Sequence, residues 1–249
     1  MTTTPAEESE NPHRVLVLAG RGRYEDPWHD HAATSHRLAL VLAELEHDGR
    51  PTDVVVRSVF PHALADLEDV DLLVVNAGTS WPGYLEAGIG PDDDAWAPFH
   101  VDLEAWARAG GRILALHQSA NTFRDAPGWE EILGGRWVPE TSYHPPFGPT
   151  TVTLATGGHA IVAGAAATVE LLDERYCALR VAPSSEVLGW VPDEDGEPQP
   201  VVWATEAHGG RTVYCGPGHD VRAYDSAGYR RLLLRAATWL LAGASISRS

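Results

Sequence analysis

Apolar positions fall along the chain in two rhythms. Short apolar runs occur at Arg14 to Ala19 (RVLVLA), Asp71 to Asn76 (DLLVVN) and Ile113 to Leu116, and Thr52 to Val59 reads as a further strand between the first two. The apolar runs are too short for a helix, and a run such as Arg14 to Ala19 reads as a strand of the buried parallel type. Between them, Leu38, Leu42 and Leu45 recur at helical spacing, a helix expected to end near Asp48-Gly49. Trp96, Phe99, Leu103 and Trp106 form a second helical stripe. Asp92-Asp93-Asp94 stands before it, where peptide dipoles favour negative charge. The alternation predicts right-handed βαβ connections and a mostly parallel sheet. Gly110-Gly111 closes the second helix, so His117 falls at the carboxyl end of a central strand, where doubly wound sheets bind ligands.

The second half differs. A short helical stretch between Asn121 and Leu133 ends at Gly134-Gly135, and the proline-rich segment Trp137 to Pro149 reads as loop. Five strand-like runs follow: Thr150 to Leu154, Thr168 to Leu172, Glu186 to Val191, Pro200 to Ala204 and Arg211 to Cys215. Gly, Pro and Asp turns separate them, which suggests antiparallel additions to one sheet edge. Tyr229, Leu232, Leu233, Ala236, Trp239 and Leu240 mark a final amphipathic helix. Residues 1–12 read as a disordered tail, 13–243 as one domain and 244–249 as a C-terminal tail. Trp81 to Pro91 is an irregular insertion whose use as a lid the sequence leaves open.

Composition narrows the picture. At 249 residues with 44% hydrophobic positions, the chain can bury one large α/β core. A formal charge of −17 argues against binding nucleic acid or an anionic membrane. Cys177 and Cys215 fall in no metal-binding pair and are expected as free thiols in a reducing compartment. No secretory signal and no apolar span of membrane length is found, so a cytoplasmic protein is expected. The first loop contains glycines but lacks dinucleotide-binding spacing.

Several motifs occur in a specific order. Gly110-Gly111, His117-x-Ser119-Ala120-Asn121, Trp129-x-x-Ile132-Leu133-Gly134-Gly135, His144, His159, Asp173-Glu174-x-Tyr176, Val202-Trp203, Gly210-Arg211-x-x-Tyr214 and Gly218-His219-Asp220 together resemble the ThuA-like (trehalose utilisation) family. The resemblance runs from about Arg14 to Gly243. It implies a class I glutamine amidotransferase-like, flavodoxin-like α/β fold. It also implies a role in bacterial sugar catabolism, especially of disaccharides oxidised to 3-keto sugars. The chain departs from the family at His159-Ala160-Ile161, where His-Pro-Ile is usual, and in the first loop, Trp28-His29-Asp30-His31, which holds an extra histidine.

Glutamine amidotransferases carry a cysteine nucleophile where this chain has His117, and glutamine hydrolysis needs that thiolate. His219 stands where the amidotransferase fold puts its catalytic histidine. These two are the candidate bases, with Glu174 or Asp220 to orient them. Ser119 and Asn121 are candidate ligand contacts or helix caps. His29, His31, His144 and Tyr176 are candidates for substrate binding. His29-x-His31, joined by a distant histidine, could also hold zinc with an open position, although hydrogen bonding to substrate is the preferred reading. Trp28, Trp81, Trp137 and Trp203 offer flat faces to a sugar ring.

The expectation is a carbohydrate-catabolism enzyme that cleaves or isomerises a 3-keto glycoside by histidine-mediated proton abstraction. A non-catalytic sugar-binding or regulatory module and a metal-dependent hydrolase are the alternatives. The expected partner is a small sugar; no cofactor is required beyond an optional divalent metal, and a homo-oligomer is left open.

Overall fold

A computed structural model of the chain describes residues 11–80, 83–84 and 87–242. The expected tails, apart from Asn11 and Pro12, therefore lie outside the described residues. So do Trp81 and three further positions of the insertion. The elements follow in chain order. The first half comprises β1 (His13–Ala19), α1 (His31–Leu42), β2 (Glu46–His47), β3 (Arg50–Ser58), β4 (Leu72–Asn76), α2 (Asp93–Arg108) and β5 (Arg112–Leu116). The second half comprises α3 (Trp129–Leu133), β6 (Gly135–Arg136), β7 (Gly148–Leu154), β8 (Thr168–Asp173), β9 (Arg180–Val181), β10 (Glu186–Pro192), β11 (Pro198–Thr205), β12 (Arg211–Cys215) and α4 (Ala227–Leu241).

Ten strands form one sheet in the order β2-β3-β1-β4-β5-β12-β11-β10-β7-β8, parallel from β3 to β12. Helices cover both faces, and the central strands divide their side chains between two cores. Val15 and Val17 of β1 and Leu114 and Leu116 of β5 face the core under α1 and α4. Their neighbours Leu16, Leu18, Ile113 and Ala115 face the core under α2 and α3, with Trp96, Phe99 and Trp129. Burial on both faces explains why these strands read as continuous apolar runs. The result is the flavodoxin-like three-layer sandwich that the sequence predicts.

Two local expectations change. The first helix stops at Leu42, and Asp48-Gly49 does not end it. Both residues have positive φ, 52° and 74°, and they turn the β2–β3 hairpin. Paired left-handed residues are the signature of a two-residue hairpin turn. The last strand, β12, is also no edge addition. It lies parallel to β5 while pairing antiparallel with β11.

That insertion of β12 places the site. Register sets Ala19 opposite Asn76, Val75 opposite Ala115 and Leu116 opposite Cys215. The strands β1, β4, β5 and β12 thus end level with one another. The segments that follow them, beginning at Gly20, Ala77, His117 and Gly216, open on one rim.

Candidate active site at the strand carboxyl ends

His117 is the first residue after β5 and begins a single 3₁₀ turn, His117–Ala120. Its φ of 42° is unusual for a residue other than glycine. Three contacts hold it there. The Nδ1–H donates to the Gly216 carbonyl at 2.7 Å, and the His117 carbonyl accepts from the Tyr214 hydroxyl at 2.9 Å. The Tyr176 ring lies against the imidazole, 4.2 Å between centroids. Because the neighbouring strand and the strand-following loop supply these contacts, the strained turn is over-determined.

The loop after β1 brings in His29. Its Nδ1 faces the Asp26 carboxylate at 2.8 Å, and its Nε2 stands 3.2 Å from Nε2 of His117. Asp26 also accepts from the backbone N–H groups of Trp28 and His29 and from the Gln118 amide. Burial would raise the Asp26 carboxyl, but His29, Gln118 and these N–H donors outweigh it and lower it.

Glu174 arrives from the far edge of the sheet, immediately after β8. Its Oε2 is 3.2 Å from Nδ1 of His219 and 3.6 Å from Nε2 of His117, and its Oε1 is 3.5 Å from Nδ1 of His144. Burial favours the neutral acid, yet the bonds to His117 and His219 prevail and hold the carboxyl well below its usual range. The same pairing raises His219 against the opposing effect of burial. His117, 1% exposed, is pushed down to about 4 by desolvation. The preceding residue, Asp173, accepts from the backbone N–H groups of Gly218, His219 and Glu174. It therefore ties the β8 end to the segment carrying His219, while burial raises its own carboxyl to about 7.

Polar atoms of His29, His117, Glu174 and His219 lie within 4.8 Å of one another, a group that could hold one cation. They back a cleft of about 500 Å³, within the range of small-ligand pockets (~300–1,000 Å³). Asp26, Trp28, His29, Thr79, Gln118, Asn121, His144 and His219 are on its lining, with Trp137 and Tyr176 supplying aromatic faces.

The candidates named from sequence thus divide. His29, Glu174 and His219 converge at the cleft with His117 directly behind them, and His144, Tyr176 and Asn121 line it. Ser119 does not. It is fully buried, with its hydroxyl donating to Val75 O and accepting from Leu116 N, so it closes the turn beneath His117. Asp220 does not orient His219. Its carboxylate pairs with the Arg222 guanidinium and caps the next 3₁₀ turn, and Glu174 takes the orienting place. His31 packs behind His29, 4% exposed, pushed down to about 4 by burial. Of the pair that could have shared a zinc, His29 groups with His117, Glu174 and His219, and His31 is not in that group. Trp203 is core, and His159 packs on Trp239 away from the cleft. Asp26 and Gln118 went unnoticed in the sequence. Only the Asp26-x-x-His29 spacing hints at a pair.

Residues 14–240 match the ThuA family, described as trehalose utilisation. The chain belongs to the ThuA family. That membership suggests a role in carbohydrate utilisation. No curated protein gives a match to the sequence. Among solved structures, a ThuA-like protein from Parabacteroides merdae superposes with a TM-score of 0.73 at 18% identity, covering 96% of this chain and 93% of that one. A ThuA-like protein from Bacteroides uniformis gives 0.67 at 17% identity, covering 96% and 95%. A cytoplasmic protein from Salmonella typhimurium LT2 gives 0.59 at 14%, covering 91% and 96%. At these identities the likeness establishes the fold. Among the described residues of this ThuA-family chain, no helix is long and apolar enough to cross a membrane, and Cys177 and Cys215 are free and buried.

Proposed function

We propose that this protein is an enzyme of carbohydrate catabolism that cleaves or isomerises a 3-keto glycoside by proton abstraction. The observation that carries the reading is the pair of carboxylate–histidine units, Asp26–His29 and Glu174–His219, on the wall of one cleft. A ketone at C3 acidifies the C2–H bond. In the ion-free protein His29 is the base, because the Asp26 carboxylate fixes the proton on Nδ1 and leaves Nε2 bare. As the C2–H bond breaks, its electron pair forms the C1–C2 double bond and the glycosidic C1–O bond is released. His219, raised by Glu174, gives a proton to the departing oxygen. Water then adds across the double bond to complete cleavage. Return of the proton without departure of the oxygen gives isomerisation. The Trp28 ring, 67% exposed, and Trp137 and Tyr176 offer faces for the sugar.

The test is incubation with 3-keto-trehalose or a simple 3-keto-glucoside in D₂O, followed by NMR. Release of the aglycone, or deuterium at C2, is expected, and His29→Ala should lower kcat by about 10²–10⁴-fold, the usual worth of a general base. Saturable sugar binding with neither event would assign a binding module instead.

A further inference from the structure

We propose that His29, His117, Glu174 and His219 together bind one divalent first-row transition ion, with a coordination position open to the cleft. The argument starts from hydrogen positions. Nδ1 of His29 faces a carboxylate, Asp26, and Nδ1 of His117 faces a backbone carbonyl, Gly216 O. Both partners only accept, so both Nδ1 atoms carry hydrogen and both Nε2 atoms present bare lone pairs. Those two lone pairs face each other across 3.2 Å, with a Glu174 oxygen 3.6 Å from one of them. Three sources of negative potential pointed at one spot ask for a positive charge among them.

The spacings suit an ion. Four protein ligands and one open position make a five-coordinate centre, in which adjacent ligands about 2.05 Å from the ion stand roughly 2.9–3.6 Å apart. The His29–His117 and His219–Glu174 separations are both 3.2 Å. Ligating histidines characteristically donate their other ring N–H to a carboxylate or a backbone carbonyl, and Asp26 and Gly216 supply one of each. Three imidazoles with one carboxylate suit ions such as zinc, manganese, iron or cobalt better than the oxygen-seeking magnesium or calcium. His29, His219 and Glu174 line the cleft while His117 closes the site from behind, so a further ligand can enter only from the sugar side.

The binding site stands on this geometry alone; its catalytic use rests on the reaction proposed above. With the ion bound, His29 and His219 are ligands and no longer the base and the acid. An ion held by these four residues would supply, at its one open position, a water of lowered pKa able as hydroxide to take the C2 proton and as water to return it to the departing oxygen.

The experiment uses the full chain, stripped with chelator and titrated calorimetrically with zinc chloride against a competing chelator. One ion per chain is expected. Glu174→Gln and His29→Gln should each weaken binding by at least about 100-fold, the upper effect of merely losing an outer-shell partner. His36→Gln, on the exposed side of α1, should keep the wild-type affinity. X-ray absorption of the zinc-loaded wild type should place N/O ligands at about 2.0–2.1 Å with imidazole scattering, a readout independent of how the variants fold. Absence of saturable uptake, equal affinity in folded variants, or a zinc spectrum without imidazole would overturn the site. Zinc uptake without turnover of a 3-keto glycoside would remove the reaction and leave the site. Turnover by the stripped protein, with no uptake, would do the reverse.

Discussion

Asp26 accepts hydrogen bonds from the His29 ring, the Gln118 amide and the N–H groups of Trp28 and His29. An amide at this position keeps one acceptor and turns a second group into a donor. Asp26→Asn would therefore oppose Nδ1–H of His29 or release it, favouring the wrong tautomer. The expected outcome is a loss of about 10–100-fold or more in kcat/KM, with a loss of stability of about 1–3 kcal/mol from the unpaired buried group. Steady-state kinetics beside urea unfolding checks both figures, and unchanged kinetics in a folded protein would remove Asp26 from the site. Its role was not legible in the sequence for a simple reason. An aspartate in a polar loop looks like any solvated acid until the fold sets Gln118 and a histidine against it. His117 and His219 could be singled out because each follows a strand run into a turn. Ser119 sits in the same motif, but its burial depends on which way the turn points, and a residue string does not state that.

The strand ends act as one device at the scale of elements. The loops after β1, β5 and β12 meet because those strands end level, and Gly218 lets the last of them pass close to His117. Its φ is 136°, and a Cβ there would stand 3.3 Å from the Tyr224 hydroxyl and 3.5 Å from Cβ of His117. Gly218→Ala should therefore destabilise the protein by about 1–3 kcal/mol through backbone strain. It should lower activity more than an equally destabilising core change such as Leu240→Ala, whose side chain lies in α4. Comparing the two at matched fractions folded separates displacement of His219 from general loss of structure. The parallel strands β1, β4 and β5 were readable because both their faces are buried, which leaves a continuous apolar signal. The place of β12 was not, since a five-residue strand looks alike whether it joins an edge or fills the gap beside β5. Asp48-Gly49 misled for a related reason. A glycine after an apolar helical stripe suits a helix end, whereas the hairpin it makes depends on a strand partner further on.

The balance of charge over the whole molecule makes acid a two-sided perturbation. The formal charge is −17, and protonating carboxylates relieves that self-repulsion. Buried histidines work in the other direction, and His208 isolates their effect because it lies outside the cleft. It sits in the β11–β12 hairpin, 4% exposed, with both ring nitrogens buried and without hydrogen-bond partners among the described residues. Burial pushes it from 6.5 down to about 4, helped by Arg108 of α2 and opposed by Glu131 of α3. Below pH 6.5 the unfolded chain therefore takes up a proton that the folded chain refuses. The unfolded state binds more protons, so stability falls as the pH drops from 6.5 towards 4, by up to about 1.4 kcal/mol per pH unit from this one group. Above pH 6.5 both states are neutral and the contribution is flat. His208→Leu removes the titration while keeping an apolar filling. The difference in unfolding free energy between the two proteins should thus be constant above pH 6.5 and should tilt in favour of the variant as the pH falls to 4. Because the relief of carboxylate repulsion is common to both proteins, it cancels in that difference. A difference that stays level down to pH 4 would mean that the hairpin admits water or a counterion to the imidazole.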